Sequence, residues 1–156
     1  MCDRTTILRH LDEEYTEPFR DPIWKHIYLS RPLLQPVQTP SFQKLHGTKQ
    51  LGSTYLIYPG ATHTRFSHSL GVFHLGRRMI TQLVKRDSCP AVDLVGVRAF
   101  LCAALLHDLG HYPYAHSLKD LSLKSHEKLP AEIIIGRDKL AHVIQKDVRV
   151  PPKLVA

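Results

Sequence analysis

The sequence predicts a mostly α-helical protein with one small β element, and three observations carry that expectation. From Arg65 onward the apolar residues Leu70, Phe73, Met79, Ile80, Leu83 and Val84 recur at helical spacing, while Arg77, Arg78 and Lys85 lie on the solvated side. From about Leu94 to Leu109 the inner positions are nearly all apolar, the pattern of a central buried helix. Strand-like alternation is confined to Ile23, Lys25, Ile27, Tyr28 and Leu29, set among Pro22, Pro32, Pro36 and Pro40. Prolines at that density suit a short hairpin or an edge segment and not a central strand.

The remaining elements follow in chain order. Residues 1–20 are polar, carry both signs of charge and read as a helical or loose N-terminal arm. Thr39-Pro40-Ser41 opens a helix with proline in its first turn, predicted to end near Leu51-Gly52 with Phe42, Leu45 and Lys49 on one side. Pro59-Gly60 marks a turn before the long helix at Arg65, and Asp87-Ser88-Cys89-Pro90 closes that helix. Gly110 and Pro113 limit the central helix, and one or two less regular helices follow.

Composition narrows the function classes. A chain of 156 residues with 43% hydrophobic and 22% charged residues is an ordinary globular domain. The longest apolar run, Ala99 to Leu106, is far short of the roughly 20 residues that span a bilayer. The N-terminus is too charged for a secretory signal, so the expectation is a soluble cytoplasmic protein, with the nucleus also open. Cys2, Cys89 and Cys102 form no CxxC pair and read as reduced thiols. The net charge of +7 favours anionic partners, including weakly bound nucleic acid. It is spread along the chain without a basic-aromatic stripe, however, which argues against nucleic-acid binding as the main function.

The unusual count is eleven histidines, several of them clustered. His107-Asp108 closes an otherwise apolar helix, where an ionised carboxylate is costly unless paired or bound to metal. His111 lies four residues beyond His107, on the same face if the helix continues, and His116 and His126-Glu127 follow. His68 stands at the start of the preceding long helix, so two helices packed side by side bring it against His107 and Asp108. Imidazole with carboxylate suits Zn, Fe, Mn or Ni, and the carboxylate also suits Mg; a helix-end histidine that merely caps is the plainer alternative.

Four blocks in this order, TPSFQKLHGTKQLG, YPGATHTRFSHSLGVFHLG, AALLHDLGHYPYAHS and HE, resemble the HD-domain superfamily, and within it the phosphohydrolases related to deoxynucleoside triphosphate triphosphohydrolases. The resemblance runs from about Asp21 to Glu127 and implies an HD-domain helical bundle with a small N-terminal β-hairpin. It implies one divalent metal ion on His68, His107 and Asp108. It gives His111, His116 and His126 catalytic roles near the α-phosphate. It assigns Arg65 to phosphate, and Gln50 and Leu51 to the substrate sugar. The implied substrate is a deoxynucleoside triphosphate, cut to deoxynucleoside and triphosphate; a homo-oligomer is compatible with the sequence.

On this resemblance residues 1–20 form the arm, 21–150 the HD domain and 151–156 a tail. The family's downstream DxxxxDYxxRD motif, whose Asp completes the metal's ligands, does not occur in the sequence. The expected HD domain is therefore incomplete, lacking the downstream helices, and slow turnover is expected of this chain alone. The alternative class is a non-catalytic HD module that binds nucleotide or nucleic acid.

Overall fold

The computed structural model describes residues 4–86, 92–113, 129–136 and 139–156. Helix α1 (Arg4–Glu13) turns Ile7, His10 and Leu11 inward, the i, i+3, i+4 pattern of a one-sided helix. Strands β1 (Tyr15–Asp21) and β2 (Lys25–Ser30) pair antiparallel, with Phe19 opposite Ile27 and an irregularity between Tyr15 and Glu17. Asp21 shapes the connecting turn by accepting hydrogen bonds from the backbone of Ile23 and Trp24 at 2.8 and 2.9 Å. Ile27 and Leu29 are buried on the inner face of β2. Residues 15–20, read from sequence as arm, are thus the first strand; its alternation is hidden by Glu17, Pro18 and Arg20.

Two further readings are corrected. The proline-rich segment after β2 is helix α2 (Arg31–Val37), with Pro32 in its first turn and Pro36 inside. Proline is at home in a first turn. In a helix of only seven residues, Pro36 forfeits little of the hydrogen-bond ladder. The helix expected from Pro40 to Leu51 is instead a four-residue α3 (Pro40–Gln43) followed by 3-10 turns at Lys44–Gly47 and Gly52–Leu56. The backbone between those turns finds other partners: Arg65 N–H donates to Thr48 O at 2.8 Å and Gln50 N–H to His63 O at 3.0 Å. Gly52 takes φ 56°, a left-handed turn that favours glycine.

Helix α4 (Arg65–Lys85) is 21 residues and so about 31 Å long. Thr64 caps it by accepting from Ser67 N–H at 3.4 Å. Helix α5 (Leu94–Leu106) is capped by Asp93, which accepts from Gly96 N–H at 2.7 Å. The two helices pack with the start of α4 beside the end of α5, and Phe73, Leu101 and Leu105 are fully buried in the core. Phe66 joins this core to the N-terminal elements through ring contacts with Phe42 at 5.3 Å and Phe19 at 6.5 Å. Met79, counted in the core face by its spacing, is instead half-exposed. Arg77, expected in solvent, is half-buried; its Nε donates to Leu11 O at 3.2 Å and its guanidinium lies over the Tyr15 ring. A long polar stem can do this where the neighbouring helix ends in unpaired carbonyls.

Helices α6 (Leu129–Ile135) and α7 (Lys139–Val143) form the back of the fold. Beyond them a single wide turn, Ile144–Val148, rests on α2 and buries Ile144 and Val148. Val155, in the segment read as a tail, is also buried. Among the described residues no helix is long and apolar enough to cross a membrane. Architecture and expectation agree on the fold class: a helical bundle with one small antiparallel hairpin.

Burial lowers the pKa of His10 below its usual 6.5, against the opposing pull of Glu14, and burial likewise lowers those of His68 and His74. The unfolded chain therefore takes up these protons first. Stability is complete above about pH 6.5 and falls as the pH drops below it toward the folded values. Urea unfolding between about pH 7 and 5.5 should show this loss, and His10→Gln should flatten the slope; an unchanged slope would exclude His10 as a contributor.

Candidate metal centre

The site forms where the N-terminal end of α4 meets the C-terminal end of α5. Thr64 starts α4, so that Arg65 and His68 occupy its first turn and the residue after it, while α5 stops at Leu106. The sequence reading carried α5 to Leu109. Instead the chain turns after Leu106, with Leu109 N–H bonded to Leu106 O and His111 N–H to Asp108 O. His107 and His111 therefore do not stack on a helix face. Asp108 is 4% exposed, three residues beyond Leu105 and seven beyond Leu101, on the side where both are fully buried.

Three potential ligand atoms converge. His68 Nε2 and His107 Nε2 are 3.4 Å apart, His107 Nε2 is 3.5 Å from Asp108 Oδ1, and His68 Nε2 is 3.9 Å from Asp108 Oδ2. A cation bonded at about 2.1 Å to its ligands sets them roughly 3–3.6 Å apart, which matches the spacing of His107 Nε2 from His68 Nε2 and from Asp108 Oδ1, while His68 approaches the other carboxylate oxygen. The chemistry of the donors fits as well. His107 Nδ1 lies 3.0 Å from the carbonyl of Ala104, which can only accept; Nδ1 therefore carries the proton and Nε2 presents its lone pair to the centre. Burial holds the His68 pKa down, so this ring too favours the neutral, ligating form, though Asp108 opposes the shift. The His107 lone pair, the carboxylate and the His68 ring face one another, and imidazole with carboxylate suits a divalent cation.

Arg65 holds the carboxylate from behind. Its Nη1 donates to Asp108 Oδ2 at 2.9 Å, with both side chains 5% exposed. Its Nε is buried without a hydrogen-bond partner among the described residues. His111, with a side chain 12% exposed, places Nδ1 3.2 Å from Asp108 Oδ1. The structure thus gathers five of the expected residues: Arg65, His68, His107, Asp108 and His111. Gln50 lies on the strand-like segment paired with residues 63–65, next to the start of α4; its Oε1 is buried and unpartnered among the described residues. Leu51 beside it is half-exposed. His116 and His126 fall outside the described residues.

Sequence reasoning missed two features here. One is the Arg65–Asp108 pair, which joins residues 43 positions apart and leaves no periodic trace. The other is His46, read as ordinary, which stacks on Phe66 with ring centres 3.6 Å apart and so sits against the start of α4.

The HD-domain family model matches residues 65–149, the stretch that opens at this site. The chain belongs to the HD-domain family. HD-domain relatives include the uncharacterized YwfO protein of Bacillus subtilis, 40% identical over 129 residues, which are 82% of this chain and 29% of that protein. Another is the deoxynucleoside triphosphate triphosphohydrolase SAMHD1 of Danio rerio, 43% identical over 112 residues, 70% of this chain and 18% of that one. The crystal structure of a phosphohydrolase from Bacteroides thetaiotaomicron superposes with a TM-score of 0.72 at 35% identity, covering 82% of this chain and 33% of that one. The chain spans less than a third of the length of these relatives.

Removing Arg65 leaves a buried carboxylate without its countercharge. Arg65→Ala should cost about 3–5 kcal/mol in urea unfolding, and adding Asp108→Ala should restore part of that loss. A cost below about 1 kcal/mol would show that the pair does not hold the helix ends together.

Proposed function

We propose that this chain carries the centre of a divalent-metal-dependent phosphohydrolase that cuts deoxynucleoside triphosphates to deoxynucleoside and triphosphate. The observation that carries the reading is the cluster of His68, His107 and Asp108, backed by a buried arginine. Similarity to proteins named as deoxynucleoside triphosphate triphosphohydrolases supports the choice of substrate. A divalent ion bound there would acidify a coordinated water and neutralise charge on the phosphoryl oxygens.

The protein's own groups divide the remaining work. His111 Nδ1 lies 3.2 Å from Asp108 Oδ1, beside the centre, and is assigned the delivery of a proton to the departing 5′-oxygen. His116 and His126 are assigned to the same acid–base and α-phosphate duties on their motif positions. Arg65 has one Nη engaged by Asp108 and its Nε unengaged among the described residues, so it can hold the carboxylate and still offer charge-assisted bonds to phosphate. Gln50 Oε1 is an acceptor in want of a donor, and a sugar hydroxyl is one; Leu51 supplies apolar surface beside it.

The purified chain should hold divalent metal stoichiometrically, by elemental analysis, and His107→Ala together with Asp108→Ala should abolish it. Metal-supplemented protein given dGTP or dATP should release deoxynucleoside and triphosphate in equal amounts, and the double variant should release neither. Full metal content in the double variant would sink the site. Release of orthophosphate or pyrophosphate in place of triphosphate would overturn the proposed bond cleavage.

A further inference from the structure

We infer that the loop of residues 50–64, which leads into α4, is a self-association face through which two copies of this chain meet about a two-fold axis. The loop is closed on itself. Lys49 pairs with Thr64 at its neck, and Gln50 N–H donates to His63 O at 3.0 Å. Farther out, Ile57 and Tyr58 N–H donate to Thr54 O at 3.0 and 2.8 Å, and Ala61 N–H donates to Tyr58 O at 2.8 Å. A loop that bonds its own backbone in this way is held in shape and loses little freedom when something covers it.

The tip of the loop is apolar and uncovered. No residue of the 3-10 turn Gly52–Leu56 is buried, and Leu56, Ile57 and Tyr58 are 72%, 79% and 65% exposed. Three consecutive large apolar side chains in that state form a patch and not a scatter of single exposures. With half-exposed Leu51 they leave about 500 Å² uncovered in each copy, so a two-fold contact removes about 1,000 Å², the lower bound for a specific interface. That size fits a weak dimer, formed as concentration rises.

Charge selects the occupant. Residues 50–64 contain no Lys, Arg, Asp or Glu, the longest such stretch in the sequence, in a chain whose net charge is +7. Nucleic acid is held by cations and a charged protein by complementary charge, and the loop offers neither. At its edge Lys49 turns its ammonium onto the Tyr55 ring of the same chain, 3.9 Å from the centroid. Two copies of a basic protein repel, and a two-fold axis sets groups near their own counterparts. A charge-free face avoids like-charge contact under that symmetry. The described residues hold another apolar surface, the groove between α4 and α5 lined by Leu75, Met79 and Phe100. Seating the loop of one copy in the groove of the next is a head-to-tail contact, which mutation separates from the two-fold one. Either contact stands independently of the phosphohydrolase reading.

Sedimentation velocity of the full chain from about 5 to 500 µM should show the mass rising from 17.8 kDa toward twice that value. Leu56→Lys combined with Ile57→Lys should weaken association at least about tenfold, because it forfeits apolar area and sets like charges across the axis. Leu56→Ser combined with Ile57→Ser removes the area without adding charge and should weaken association less. Both positions are exposed, so circular dichroism should be unchanged in either pair. Met79→Lys should leave association as it is. A chain monomeric throughout that range, undiminished association in the lysine pair, or dissociation by Met79→Lys would overturn the two-fold contact. A monomer that sediments with phosphatidylcholine vesicles would overturn it in favour of a lipid surface.

Discussion

A buried carboxylate is tolerable only where something answers its charge, and the arrangement of this molecule around Asp108 is a set of answers. Arg65 reaches it from the first turn of α4, the histidines approach from the open side, and the chain reverses after Leu106 to bring the side chain inward. The ion pair ties the beginning of one core helix to the end of the other. Whatever fixes the start of α4 therefore also fixes the site: the Thr64 cap, the bond from Arg65 N–H to Thr48 O, and the seating of Phe66 among Phe42, Phe19 and His46. Hairpin, α3 and the 3-10 turns act as a brace for that helix start.

The same reasoning explains why the centre is poised for a cation and not merely polar. A histidine pair 3.4 Å apart at Nε2 can share a proton or a metal. The Ala104 carbonyl accepts from Nδ1–H of His107, which leaves Nε2 as a lone pair facing the centre, and burial discourages extra protonation of His68. Arg65 holds the carboxylate through Oδ2 without occupying Oδ1.

Much of this was legible from residue order. The helical period of α4, the apolar run of α5, and the pairing of His68 with His107-Asp108 all follow from local pattern and ordered motifs. What was misread shares one physical cause: the backbone or side chain found a distant partner that local propensity does not encode. Thr48 and Gln50 left helix geometry to bond residues 63–65. Glu17, Pro18 and Arg20 entered a strand because β2 lay alongside. Arg77 left solvent for the carbonyl of Leu11.

Residue order alone carried the helical class, the two core helices and the hairpin, because periodicity is a property of neighbouring residues, and the ordered motif blocks nominated His68, His107 and Asp108 as candidate ligands. Only the tertiary structure decided that Arg65 is a buried counterion and which atom of His107 faces the centre. Each of these is a contact between residues far apart in the chain, and its energy exists only once α4 lies against its neighbours.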